Sequence, residues 1–348
     1  MHFKKLILIF LALISIQTVY KHPNLSISRI EIDTIYQDKI NIRAISIEKN
    51  NIYYAADKNR VGVIDLISKT NKQKIVINDS LNVEFRSCAK TKNYFFALSI
   101  GKPALLYRFS NDLSKRTLVY EEYKEGVFYD SMQFYDDKNG IAVGDPINGR
   151  MSIITTKNGG VSWQKNNPKN SPVLNDGEAF FAASNTNISI KNGKTWVFSG
   201  GQKSRLFYSE DKGLSWKSSE TPIIQGQKMT GIFSSDFYND KIGIIAGGNY
   251  EIPNLNNHNK AITVNGGTSW NLLSDNDGFG YASCIRFFPG CKGQKMISVG
   301  LTGIYISNDF GLYWKKISND RTLNTIAFKN KDTAIAAGKN KIIQIRFY

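Results

Sequence analysis

An eight-residue phrase is written four times along this chain, and it restricts the fold more than any other feature of the sequence. The copies are Thr156-Lys157-Asn158-Gly159-Gly160-Val161-Ser162-Trp163, Ser209-Glu210-Asp211-Lys212-Gly213-Leu214-Ser215-Trp216, Thr263-Val264-Asn265-Gly266-Gly267-Thr268-Ser269-Trp270 and Ser307-Asn308-Asp309-Phe310-Gly311-Leu312-Tyr313-Trp314. Their common pattern is Ser/Thr-x-Asp/Asn-x-Gly-x-Ser/Thr/Tyr-Trp, and the Trp-to-Trp spacings are 53, 54 and 44 residues. Repetition at such a period predicts an array of similar supersecondary units.

Each copy stands between a short apolar run and a Trp-led run, which predicts strand, tight turn, strand. The Asp or Asn side chain can fold back onto backbone amides, and the Gly supplies positive φ. The Trp enters the next strand and is expected to pack between neighbouring units. Around the third copy the order is an A strand at 232–237, a B strand at 243–246, a C strand before the turn and a D strand from Trp270. The same order is expected at 131–135, 140–143, 151–155 and 162–164, at 178–183, 195–199, 205–208 and 216–217, and at 283–288, 295–299, 303–306 and 313–317.

The N-terminal half lacks the phrase but keeps the rhythm, with strands expected at 42–47, 52–55, 61–65 and 74–77, then at 85–89, 94–98, 105–109 and 117–120. The last unit has strands only at 325–328, 333–336 and 342–347, and residues 30–35 are expected to supply the outer one. Such a clasp would close the ring and remove exposed edges. The fold expected is therefore all-β: a seven-bladed β-propeller over 24–348 as a single domain, with an N-terminal strand closing the last blade. The 348 residues, 41 % of them hydrophobic, suffice for such a core.

Residues 1–20 read as a secretory signal or an uncleaved anchor. Lys4 and Lys5 precede an apolar run from Leu6 to Ile16 that is interrupted only by Ser15. Export to the periplasm, cell envelope or extracellular space is the localisation expected. The net charge of +16 comes mostly from Lys scattered through turns, as at 69–74 and 165–169. That pattern fits a solvated surface better than the clustered face of a nucleic-acid reader. Of the three cysteines, Cys284 and Cys291 can form a short disulfide in an oxidising compartment, leaving Cys88; three free thiols is the equal alternative.

In a propeller the A strands line the channel, and the D–A and B–C loops share one face. The repeated phrases are C–D turns on the opposite face. A ligand site is expected where the repeats diverge, at the channel mouth. The A-strand starts there carry Arg43, Arg86, Asp130 and Glu178, with Arg286 further in. The B–C loops carry Asp145, Arg205 and a long insertion at 249–260 that includes His258. Arg beside carboxylates at such a place can bind an anionic or zwitterionic group, with Arg as bidentate partner. The alternative is a ring of charges that pair only with one another. With histidines only at His2, His22 and His258, metal hydrolysis is poorly supported, and no Gly-x-Ser-x-Gly nucleophile elbow is present. No catalytic residue, metal ligand or cofactor is assigned.

The turn phrases resemble the Asp-box, or BNR, repeat of sialidases, sortilin-type receptors and photosystem II assembly factors. From about Asn41 onward the chain resembles the photosystem II assembly or stability factor-like propellers, in a bacterial branch whose members are often named oxidoreductase. The matching stretches include Glu84-Phe85-Arg86-Ser87, Phe128-Tyr129-Asp130-Ser131-Met132, Gly144-Asp145-Pro146 and Gly177-Glu178-Ala179-Phe180-Phe181-Ala182-Ala183-Ser184. The branch carries an Arg near the sixth A strand, where this chain has Tyr281-Ala282-Ser283. The resemblance implies the propeller and its Arg-bearing face; the function expected is that of a monomeric, non-enzymatic scaffold that binds a protein or polar ligand on its channel-mouth face, as an assembly factor does. The alternative is a sialidase-like glycoside hydrolase. The Arg-Ile-Pro signature of those enzymes is missing, the nearest stretch being Arg29-Ile30-Glu31. Arg43, Arg86 and Arg205 would have to form their Arg triad.

Overall fold

The computed structural model describes residues 27, 29–76 and 81–348. The signal or anchor expected at residues 1–20 lies outside the described residues, as does Ile77 at the end of an expected strand. Among the described residues, no helix is long and apolar enough to cross a membrane.

Short antiparallel strands follow one another along the chain. β1 (Ile30–Glu48), β2 (Asn51–Ala56), β3 (Arg60–Asp65) and β4 (Thr70–Ile75) are hydrogen-bonded in chain order. So are β5 (Phe85–Lys90), β6 (Tyr94–Ser99), β7 (Ala104–Ser110) and β8 (Arg116–Glu122), and after them β9 (Tyr129–Phe134), β10 (Gly140–Ile147), β11 (Arg150–Thr156) and β12 (Gln164–Lys165). Next come β13 (Glu178–Ala179), β14 (Ile188–Lys191), β15 (Lys194–Phe198), β16 (Gly200–Gly201), β17 (Arg205–Ser209) and β18 (Lys217–Glu220). Of these, β14, β15, β17 and β18 form one sheet. The two-residue strands β13 and β16 extend the sheet of β19 (Thr230–Phe237), β20 (Gly243–Asn249), β21 (Lys260–Thr263) and β22 (Asn271–Leu272). After β23 (Cys284–Phe287), β24 (Met296–Gly300), β25 (Gly303–Ser307) and β26 (Lys315–Ser318), the chain ends with β27 (Leu323–Asn330) and β28 (Thr333–Phe347), which return to β1.

The innermost strands succeed one another around an axis: β1 lies against β5, β5 against β9, β9 against β14, β14 against β19, β19 against β23, β23 against β27, and β27 against β1. Sheets radiating from a closed succession of this kind make a β-propeller. Sequence follows position in the sheet. β6, reading Tyr-Phe-Phe-Ala-Leu-Ser, is covered on both faces and almost wholly buried. The outer β4, reading Thr-Asn-Lys-Gln-Lys-Ile, is exposed nearly throughout. Hydrogen bonding divides the described strands into six sheets rather than the seven four-stranded units expected. The difference lies in β1, one unbroken 19-residue strand. Its Ile30–Asn41 part pairs with β28, its Ile42–Glu48 part pairs with β2, and the two ladders become a single six-stranded sheet.

The four repeated turns are built alike. In each, the leading hydroxyl accepts from the Gly amide: Thr156 from Gly160 at 3.0 Å, Ser209 from Gly213 at 2.8 Å, Thr263 from Gly267 at 2.9 Å and Ser307 from Gly311 at 2.9 Å. The Asp or Asn Oδ1 accepts from the amide four residues on, as Ser215 N donates to Asp211 at 2.8 Å and Tyr313 N to Asp309 at 3.0 Å. The Gly is held at positive φ and pressed against the preceding sheet: a Cβ on Gly160, at φ +73, would lie 2.3 Å from the Phe96 ring. The Trp seals the same seam, Trp163 standing edge-on to both Phe96 and Phe134.

One inner strand is displaced from its expected place. The A strand expected at 178–183 is instead Ile188–Lys191, which pairs with β15. The preceding stretch from Phe180 to Ser189 is buried without interruption and runs through the propeller axis. There Asn185 Nδ2 donates to Cys88 O at 2.8 Å and its Oδ1 accepts from Met132 N at 2.8 Å. Ser184 Oγ donates to Ser283 O at 2.7 Å, Thr186 Oγ1 to Ser234 Oγ at 2.7 Å, and Thr325 Oγ1 to Ser184 O at 3.3 Å. Small polar side chains let this plug fit a narrow channel while pairing its backbone and that of the strands around it. The channel is therefore filled at this level, not open. All three cysteines are free thiols: Cys88 and Cys284 are buried and Cys291 is partly exposed, so Cys284 and Cys291 are not joined.

Candidate functional site

The channel mouth is floored by the plug and walled by the starts of the inner strands. Arg43 on β1 and Arg86 on β5 converge on one carboxylate. Arg86 Nη2 lies 2.7 Å and Arg43 Nε 3.8 Å from Glu84, which precedes β5. Arg43 also reaches the plug, its Nη1 donating to Ala183 O at 3.4 Å. The Nε atoms of both arginines are buried without a hydrogen-bond partner. Burial and then the neighbouring Arg86 draw the Arg43 guanidinium below its ordinary pKa. Two cations share this one anion.

Beside them, Asp130 at the start of β9 is fully buried. The amides of Asp145 and Ala182 approach its carboxyl, but neither oxygen closes a hydrogen bond. Burial, reinforced by Asp145 and opposed by Arg86, raises its pKa well above the ordinary value. Asp145 sits in the bulged end of β10 and accepts from Phe180 N at 2.8 Å, which ties it to the plug. Burial lifts its pKa from 3.8 to about 6. The structure brings Arg43, Arg86, Asp130 and Asp145 together in one corner of the mouth.

Glu178 and Arg205 behave differently. They form a closed pair, Arg205 Nη2 to Glu178 Oε2 at 2.6 Å and Nε to Oε1 at 2.9 Å. Ser199 Oγ and Asn175 N supply two more donors to the same carboxylate, and Arg205 Nη2 also donates to Val173 O. Arg205 is thus held by Glu178, which ties β13 to β17, and the Arg triad with Arg43 and Arg86 is not assembled. Arg286 is likewise taken, by Asp236 at 3.4 Å and Ile326 O.

Sequence reasoning passed over the aromatic half of the site. Tyr250 and Tyr281 stand near enough to Arg43 to influence its charge. Their rings meet edge to face at 5.3 Å, Tyr281 meets Phe233 at 4.7 Å, and Phe233 stacks on Phe181 of the plug at 3.9 Å. The only available signal was the stretch Tyr281-Ala282-Ser283, at which the sequence departs from the pattern it resembles. The longest B–C loop contributes Tyr250, whereas its His258 is half exposed beside Asp275 at 3.7 Å.

The raised pKa of Asp145 makes a prediction. Its proton is held more tightly in the folded than in the unfolded chain, so the stabilisation is complete below about pH 4 and is lost as pH rises through about 6. A shift of this size corresponds to on the order of 2–3 kcal/mol. Calorimetric melting between pH 4.5 and 7.5 should show Asp145→Asn gaining stability relative to the parent chain as pH rises. Parallel curves for the two proteins would contradict the assignment.

Comparison with known proteins places the fold. No protein-family model matches the chain, and no curated protein matches it in sequence. Among solved structures, it is similar to that of YCF48 bound to D1 peptide, with a TM-score of 0.65 at 12 % identity, covering 93 % of this chain and 97 % of that one. YCF48 from Cyanidioschyzon merolae gives a TM-score of 0.64 at 11 % identity, covering 90 % and 98 %. The structure of U3-55K gives 0.64 at 10 % identity, covering 91 % and 98 %. At such identities the likeness is one of fold: this chain folds as the β-propellers of YCF48 and U3-55K do.

Proposed function

We propose that this protein is an exported, non-enzymatic β-propeller that binds an acidic segment of a protein partner at its channel mouth. The observation that carries the reading is the shared Glu84. Two arginines, Arg43 and Arg86, converge on one carboxylate with both Nε atoms buried and unpartnered, next to an unpartnered Asp130. A carboxylate entering this corner would offer the two arginines a further hydrogen-bond acceptor. A protonated Asp130 would act as a further donor, and the exposed Tyr250, backed by the buried Tyr281, offers apolar area beside them. Buried, strained groups of this kind are what a binding site retains at a cost to stability. A propeller of the same fold, YCF48, has been solved bound to a D1 peptide, and the reading extends that mode of use, not that partner, to this chain. The repeated turns are read as Asp-boxes. The ring is read as seven units, supported by the two ladders of β1, which would serve as outer strand of the last unit and inner strand of the first.

Arg43→Ala combined with Arg86→Ala should abolish partner recovery in a pull-down from the native cell while lowering the melting temperature by no more than a few degrees. Undiminished recovery would refute the site. The glycosidase reading gains nothing from Glu178, whose carboxylate is occupied by Arg205.

A further inference from the structure

The opposite face carries a second interaction surface. The C–D turns lie there beside the A–B turns, as the bonds Gly159 N to Lys138 O and Gly266 N to Lys241 O at 2.8 Å show. The tips of these turns expose large apolar side chains: Ile67 at 75 %, Tyr313 at 63 %, Leu214 at 58 %, and Val161, Val264 and Leu312 at just over 50 %. None of them is needed by the turn hydrogen bonds, which use the hydroxyl, the Asp or Asn and the backbone. Radial arrangement of the sheets sets the tips around one rim, so they are presented to a plane and not gathered into one patch. Exposed Lys69, Lys157 and Lys241 stand among them, with Lys212, which also pairs with Asp136 at 3.2 Å. Spaced apolar tips interleaved with lysines match the interface of a bilayer with anionic headgroups.

The chain outside the described residues points the same way. Ile30 pairs with Phe347, and Phe347 N donates to Asp332 O in the last A–B turn. Whatever precedes Ile30 therefore joins the propeller on the turn face. The apolar run 6–16, flanked by Lys4 and Lys5, lies only thirteen residues upstream of residue 30, counting 17 to 29. Fully extended, thirteen residues reach at most about 45 Å.

We infer that the turn face seats on an anionic lipid surface, which points the arginine-bearing mouth away from the membrane towards its partner. This inference is independent of what the mouth binds. The test uses the full chain with Cys291→Ser, since Cys88 and Cys284 are buried. An environment-sensitive fluorophore is attached through Leu214→Cys on the turn face or Ile252→Cys on the mouth side. On vesicles of mixed phosphatidylglycerol and phosphatidylcholine, the label at 214 should shift to the blue and be quenched by brominated acyl chains, while the label at 252 stays in water. Lys157→Glu with Lys212→Glu should reduce the 214 quenching by roughly threefold, through lost attraction to the headgroups. Four results would overturn the inference: no vesicle binding; binding through residues 6–16 alone with the 214 label in water; equal responses at both sites; or a shift at 214 without lipid, which would indicate a protein on this face.

Discussion

Asn185→Ala is expected to cost about 3–5 kcal/mol of folding free energy, among the largest effects of any single substitution in this protein. The side chain bridges Met132 N and Cys88 O, both at 2.8 Å, in the filled centre of the propeller. Its loss leaves a donor and an acceptor buried and unpaired, at about 1–3 kcal/mol each. Asn185 also sits at φ 63, a left-handed conformation that costs Ala roughly 1–2 kcal/mol. Asn185→Gly separates the two causes, because Gly adopts this φ freely but makes neither bond. It should fall between the parent chain and the Ala variant. Denaturant unfolding followed by tryptophan fluorescence measures all three. An Ala variant within about 1 kcal/mol of the parent would mean that the plug does not tie the inner strands together.

Glu178→Ala should be comparably damaging, by about 3–5 kcal/mol, because it strands a mostly buried guanidinium. The Arg205 side chain is 14 % exposed and the Glu178 side chain not at all. Removing both charges together, as in Glu178→Leu with Arg205→Met, should recover much of the loss, since a buried ion pair is far costlier to break than to replace. Equal stability of the double variant and the Glu178→Ala single variant would contradict this. The pair is thus a clasp between β13 and β17, and a loss of partner binding in Glu178→Ala would follow from instability, not from a lost contact.

The parts of the fold that were legible in the sequence are those that repeat. The four turns announced themselves because one hydrogen-bond pattern requires a hydroxyl, an Asx, a Gly and a Trp at fixed spacing. Arg43, Arg86 and Asp130 could be singled out because charged residues at inner-strand starts stand out against apolar neighbours, and Asp145 because it sits where the repeats diverge. The plug was not, because Phe180 to Ser184 reads as an inner strand by composition. Only bonds to residues about 50 to 140 positions away reveal that it crosses the axis. Glu178 and Arg205 were misjudged for a related reason: their mutual pairing joins two segments that sequence alone does not bring together. The single sheet formed through β1 was hidden because two ladders share one uninterrupted strand.

We assign partner binding to the channel mouth. The most direct test of this assignment is site-specific photo-crosslinking in the native cell. A crosslinking residue at Ile252, on the mouth side, should give one discrete protein adduct that disappears when Arg43→Ala and Arg86→Ala are introduced, while the same residue at Ser219, on the outer edge, gives none. An adduct at Ile252 that survives loss of both arginines, or a discrete adduct only at Ser219, would contradict it.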